Sequence, residues 1–262
     1  MLNLKPALAL TFCLASTAAV AHTPYLAPAS FEPINNWVTL DAAFAEKFFL
    51  PEVKFDQSEF SVTQPDGQQV KPKELFLGKT RTMLAHELTA EGTYRFSTGQ
   101  RYGAVFRSWQ QDGKVKTSRD PNEAVPAGAK LLAHFQSVTL AETYVSKGAP
   151  DKAALAPSGK GLELAFISHP NDLYIDTPVR ARLLFNGQGL AGQKVELFQA
   201  GQAEPESKAV QQLTSNAQGE IEFSVKNKGS YLLLNRYRTD APAGAKAPTY
   251  SYSYTAVIEI TE

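Results

Sequence analysis

Four histidines and a single cysteine hold most of the metal and nucleophile chemistry open to this 262-residue chain. Cys13 lies in an apolar run from Pro6 to Val20 that follows Lys5 and ends in Ala19-Val20-Ala21, the small-x-small pattern cut by signal peptidase. The run is too short for a bilayer that needs about 20 apolar residues. Residues 1–21 therefore read as a cleaved export signal, and His22 becomes the first mature residue. The mature chain has no thiol, so a metal site must use imidazole, carboxylate, carbonyl or a terminal amine.

A histidine at a new N-terminus is a special case. Its α-amine and ring Nδ1 can close a chelate on one metal ion, and a divalent ion competes with protons at both groups near neutral pH. With Pro24 third, there is no third-position amide hydrogen to lose, which excludes the square-planar tripeptide copper site. The remaining ligands must come from the fold. Chain ends are usually frayed, and a frayed end would make His22 incidental. Thr23-Pro24-Tyr25-Leu26-Ala27-Pro28 argues for a tied end, stiffened by two prolines and anchored by two large apolar side chains.

The other imidazoles are candidate partners. His86 alternates with Leu84 and Leu88, which suits a core residue or a ligand. His134 sits between Leu132 and Gln136, where a strand face turns polar, and again both roles are open. His169 begins His-Pro-Asn-Asp172, a turn between strands. The expected metal set is His22, His86 and His134, with Asp41, Glu46 and Asp120 as candidate carboxylates.

The elements that must position these residues are strands. Val179, Ala181, Leu183 and Phe185 alternate with Arg180, Arg182 and Leu184. Tyr250, Tyr252, Tyr254, Ala256, Ile258 and Ile260 share one face of the last run, with mostly polar residues opposite. Turn residues recur every 8–12 positions, the spacing of antiparallel sandwiches. Asp41 to Phe49 suits either a short helix or a continuation of the strand Trp37–Leu40. Gln110–Gly128 and Ala241–Pro248 read as exposed loops. Two Gly-x-Tyr openings, Gly92-Thr-Tyr94 and Gly229-Ser-Tyr231, look like the corner tyrosines of immunoglobulin-like sandwiches. The expectation is an all-β chain with one module over 22–147, a Gly/Pro/Ala-rich linker over 148–161 and a second module over 162–262.

Composition narrows the partners. The 26 basic and 26 acidic residues balance, which argues against nucleic acid or an anionic membrane surface as the main partner. No mature segment approaches spanning length. Gly187-Gln-Gly189-Leu-Ala-Gly192 matches a dinucleotide fingerprint by letter, but a strand follows it, not a helix, and Asn186-Gly187 marks a hairpin. No phosphate loop, nucleophile elbow or His-Glu-x-x-His motif is present.

The order of segments resembles one exported bacterial family. The likeness is carried by His-Thr-Pro-Tyr-Leu at the mature start, Trp37–Glu46, Ala141–Val145, His169–Tyr174, Leu184–Gly192 and the closing Gly-x-Tyr. That family is catalogued as a domain of unknown function and often labelled as the periplasmic component of cobalt or nickel uptake systems. The second module is similar to prealbumin-like or carboxypeptidase-regulatory sandwiches. The resemblance implies an exported, periplasmic metal-handling protein that delivers Ni or Co to a membrane transporter; the donor chemistry leaves Cu and Zn open as well, and the expected role is a non-enzymatic binding protein. A mature N-terminal histidine carries over, matched by His22. Two other readings are a copper-dependent oxidative enzyme with a histidine-brace site, and a structural or adhesive pair of immunoglobulin-like modules.

Overall fold

The computed structural model describes residues 22–201 and 208–262; the expected signal segment, 1–21, lies outside them. Three antiparallel-dominated sheets stack in layers, and the described residues are all-β apart from a single 3-10 turn at Ala153–Leu155. The front sheet holds β1 (Thr23–Pro28), β2 (Trp37–Ala45), β3 (Val53–Lys54), β6 (Glu74–Leu77) and β7 (Thr82–Glu87), in the order β1-β2-β7-β6 with β3 beside β2. Asp41 to Ala45 thus continues a strand and forms no helix.

The central sheet has ten strands. From the first half of the chain come β4 (Ser61–Thr63), β5 (Gln69–Val70), β8 (Gly92–Ser97), β9 (Arg101–Gln111), β10 (Lys114–Ser118) and β11 (Lys130–Lys147). From the second half come β15 (Lys194–Gln199), β16 (Gln211–Thr214), β18 (Gly229–Asp240) and β19 (Thr249–Ile260). The back sheet holds β12 (Leu162–Phe166), β13 (Val179–Phe185), β14 (Gln188–Gly189) and β17 (Glu220–Phe223).

The two sandwiches share the central sheet. β11 is long enough to pair antiparallel with β8 and β9 on one edge and parallel with β19 on the other, from Phe135 opposite Thr249 to Thr143 opposite Val257. The segment expected as a linker is pinned to this sheet. Ala154 and Leu155 are buried, Arg95 donates to the Ala156 carbonyl at 2.9 Å, and the Asp151 N–H reaches Thr93 Oγ1 at 3.1 Å.

One core lies between the front sheet and the first half of the central sheet, around Val38, Leu40, Phe55, Leu84, Tyr94 and Phe96. A second lies between the back sheet and the second half, around Leu164, Val179, Leu183, Ile221, Leu233 and Ile258. A third cluster joins the modules, where Tyr25, Ala43 and Phe48 meet Phe198, Leu232 and Val257. This cover explains why β19 is buried on both faces along Thr255–Ile258, although its sequence alternates.

Local chemistry follows the sequence closely at three places. Tyr94 and Tyr231 each bond a hydroxyl to the carbonyl four residues back, Ala90 at 2.9 Å and Asn227 at 2.6 Å. Asn186 and Gly187, with φ of 49° and 76°, turn the β13–β14 hairpin inside the dinucleotide look-alike. The stretch 110–128 differs from the expected loop. Asp112-Gly113 closes a hairpin there, and β10 pairs back on β9 from Lys114 to Ser118.

Candidate metal centre

β1 is an edge strand held from two sides. It pairs antiparallel with β2, Thr23 opposite Ala45 through Pro28 opposite Leu40. Across the module boundary Thr255 Oγ1 donates to the Pro24 carbonyl at 3.0 Å, and Arg236 donates to Thr23 Oγ1 at 3.2 Å. Tyr25 and Leu26 are fully buried. These contacts fix His22, one residue before β1, at the end of β2 where Glu46 leaves the sheet.

After Ala45 the chain makes a tight loop, with the Leu50 N–H bonded to the Lys47 carbonyl at 2.8 Å, and returns so that the Glu52 N–H meets the Phe44 carbonyl at 3.2 Å. The loop brings Glu46 and Glu52 side by side. One oxygen of Glu52 accepts the Glu46 backbone N–H at 2.8 Å, and the other lies 2.8 Å from His22 Nε2. Ligand atoms of His22, Glu46 and Glu52 all fall within 4.8 Å of one another. All three residues are exposed, so an ion could reach them without opening the fold.

The Glu52 carboxylate is placed to accept a hydrogen bond from Nε2–H, the tautomer that leaves the Nδ1 lone pair for a metal. This is the usual pairing of carboxylate and imidazole around a metal-binding histidine. The donors available here are nitrogen and carboxylate oxygen, a mixture suited to Ni, Co, Cu(II) and Zn.

His86 and His134 do not join this group. His86 stands opposite Val38 on β7, whereas Thr23 stands opposite Ala45. Those two positions on β2 are seven residues apart, roughly 23 Å at the strand rise. The inward face of β7 carries His86 into the first core, 1% exposed, with the Tyr94 and Phe96 rings centred 6.2 and 6.0 Å away. Neither ring nitrogen has a hydrogen-bond partner among the described residues. Burial first, then Lys73, holds its pKa below the ordinary imidazole value, with Glu87 acting the other way.

His134 is half-buried on β11 opposite Arg107, beside a shallow cavity of about 280 Å³ that Leu131, Phe135 and Arg238 also line. His169 is a turn residue that also braces the modules. Its Nε2 lies 2.6 Å from the Asp151 carbonyl and 3.1 Å from Thr93 Oγ1, while Nδ1 accepts the Asn171 N–H at 3.1 Å. Asp41 is paired with Arg81 at 2.9 Å, and Asp120 caps its own loop through the Asn122 N–H at 2.9 Å. Of the carboxylates singled out in the sequence, only Glu46 lies beside His22. Glu52 was not among them. The available signal was Pro51 in a run too short for a strand, which forces a return and makes neighbours of residues six apart.

The model for the family described as Domain of unknown function (DUF4198) matches residues 19–239. The chain belongs to the DUF4198 family. No curated protein matches it. Among solved structures, the D0-D1 domain of Intimin is 8% identical with a TM-score of 0.23, over 90% of this chain and 97% of that one. A marsupial T cell receptor is 9% identical with a TM-score of 0.19, over 92% and 74%. Likenesses this low add nothing to the reading of a DUF4198 site. Among the described residues of this DUF4198 chain, no helix is long and apolar enough to cross a membrane.

Proposed function

We propose that this DUF4198 protein is an exported, non-enzymatic binder of a divalent transition metal, held by the α-amine and Nδ1 of His22 with Glu46, while Glu52 orients the imidazole. The observation that carries this reading is the convergence of His22, Glu46 and Glu52 within 4.8 Å at the docked end of β1. It depends on cleavage after Ala21, because an uncut chain has an amide where the chelate needs an amine. Nitrogen and carboxylate donors leave Ni, Co, Cu and Zn open. The resemblance to cobalt and nickel uptake components favours Ni or Co, handed on to a membrane transporter from the periplasm.

A histidine-brace copper enzyme would need a second imidazole beside the terminal one. His86 is displaced along the front sheet and His169 has both nitrogens engaged, so a carboxylate-completed site fits binding better than oxidative chemistry.

Calorimetry with Ni, Co, Cu and Zn tests the reading on protein starting at His22 and on protein with one extra residue before it. The extended form should bind more weakly by more than the roughly 10–100-fold typical of losing a residue that only orients a ligand. Equal affinity of the two forms overturns it.

A further inference from the structure

The charge balance of the whole chain hides an uneven distribution. Residues 71–81, Lys-Pro-Lys-Glu-Leu-Phe-Leu-Gly-Lys-Thr-Arg, carry four basic side chains and one acidic one. They form β6 and the turn into β7, closed by the Gly78 N–H on the Arg81 carbonyl at 2.9 Å. β6 is the free edge of the front sheet, and all four of its residues are exposed. Leu75, Phe76 and Leu77 are 49, 62 and 55% exposed. Three consecutive apolar side chains left in water on a soluble surface mark an interaction site.

The basic residues bracket this triplet. Lys73 precedes β6 and Lys79 follows it in the turn, and neither has an ion-pair partner among the described residues. Arg81 is tied to Asp41 at 2.9 Å, and Lys71 lies 4.0 Å from Glu59 with both side chains almost wholly in solvent, a pairing that holds little in water.

We propose that the β6–β7 hairpin is a docking edge for an anionic lipid surface. In the strand Leu75 and Leu77 point to one side of the sheet and Phe76 to the other. An edge-on approach therefore brings all three to the acyl boundary together, while Lys73 and Lys79 meet headgroup phosphates from either end. The unpaired backbone edge of β6 limits the depth, because its N–H and C=O groups need the water of the headgroup layer. The same edge is a poor template for a partner strand. It is four residues long, and Pro72 just before it has no N–H to donate.

Co-sedimentation with vesicles tests this, using the chain from His22 so that the apolar run of residues 6–20 cannot itself enter lipid, and with chelator present so that the result is independent of metal. Wild type should pellet with phosphatidylglycerol–phosphatidylethanolamine vesicles, more weakly as salt rises, and should leave phosphatidylcholine vesicles in the supernatant. Lys73→Gln with Lys79→Gln should weaken partitioning about 25-fold, near fivefold per lysine. Leu75→Ser, Phe76→Ser and Leu77→Ser together should abolish it, and the melting temperature of each exposed-site variant confirms folding. Absence of wild-type binding, equal binding to both vesicle types, or unchanged binding by the variants overturns the proposal. So does a lipid-free dimer that the serine variant dissolves, which would assign the edge to a second copy of the chain.

Discussion

His22 and His86 are the same side chain in opposite surroundings, although both are held by β2. His22 sits at the open end of the strand pair, with a carboxylate on one nitrogen and solvent on the other side. His86 sits under the far end of the front sheet, against two aromatic rings and with no partner for either nitrogen among the described residues. The first environment leaves a lone pair accessible and oriented. The second withholds the imidazole from any ion and holds it neutral at a cost to the fold. Proximity to other donors, not residue type, separates a candidate ligand from a core residue.

The largest effect that would sharpen this contrast is at Glu52. Glu52→Gln keeps the shape but removes the charge that holds the His22 Nε2–H, so the ring is less firmly oriented toward a metal at Nδ1. Metal affinity should fall by about 10–100-fold, read by calorimetry, with the melting temperature of the metal-free protein little changed because the pair is exposed. No change in affinity would mean that Glu52 is a surface ion pair only, and the contrast with His86 would lose its functional meaning. Glu46→Gln probes the proposed oxygen ligand. An amide oxygen can still coordinate but brings no charge, so a loss of about tenfold, near 1.4 kcal/mol, is expected in the same measurement.

The β architecture was readable because strand periodicity and turn chemistry are local. Tyr94, Tyr231 and Asn186-Gly187 each act within four residues of themselves, and the structure has them as the sequence implies. The shared central sheet was not readable. The parallel pairing of β11 with β19 joins residues more than a hundred positions apart, and nothing in either strand names the other. The site was half legible for the same reason. The expectation at His22 rests on an apolar run and a small-x-small ending in residues outside the described ones, while Glu52 becomes its neighbour only through the return loop after Ala45. His86 had an ambiguous pattern between Leu84 and Leu88, and it is burial by Tyr94 and Phe96, from another sheet, that decides it.

The smallest expected effect tests the buried half of the comparison. Protonating His86 in the folded chain would place an unpaired charge in the first core, so the fold holds its pKa below the ordinary 6.5, through burial first and the nearby Lys73 second. The unfolded chain takes up that proton near 6.5. The stability linked to this ring is therefore complete above that value, and it declines as pH falls through 6.5 toward the lower folded value. His86→Phe removes the proton site and both orphaned nitrogens, whose burial costs about 1–3 kcal/mol, but it adds volume to a packed core. A net gain of about 1 kcal/mol at neutral pH is expected, growing as the medium is acidified, because only the wild type then loses stability at this position. Thermal melts of the two proteins between about pH 7.5 and 5.5 read the difference directly. Parallel curves would show that the ring keeps a partner in solution, and His86 could no longer serve as the unpartnered counterpart of His22.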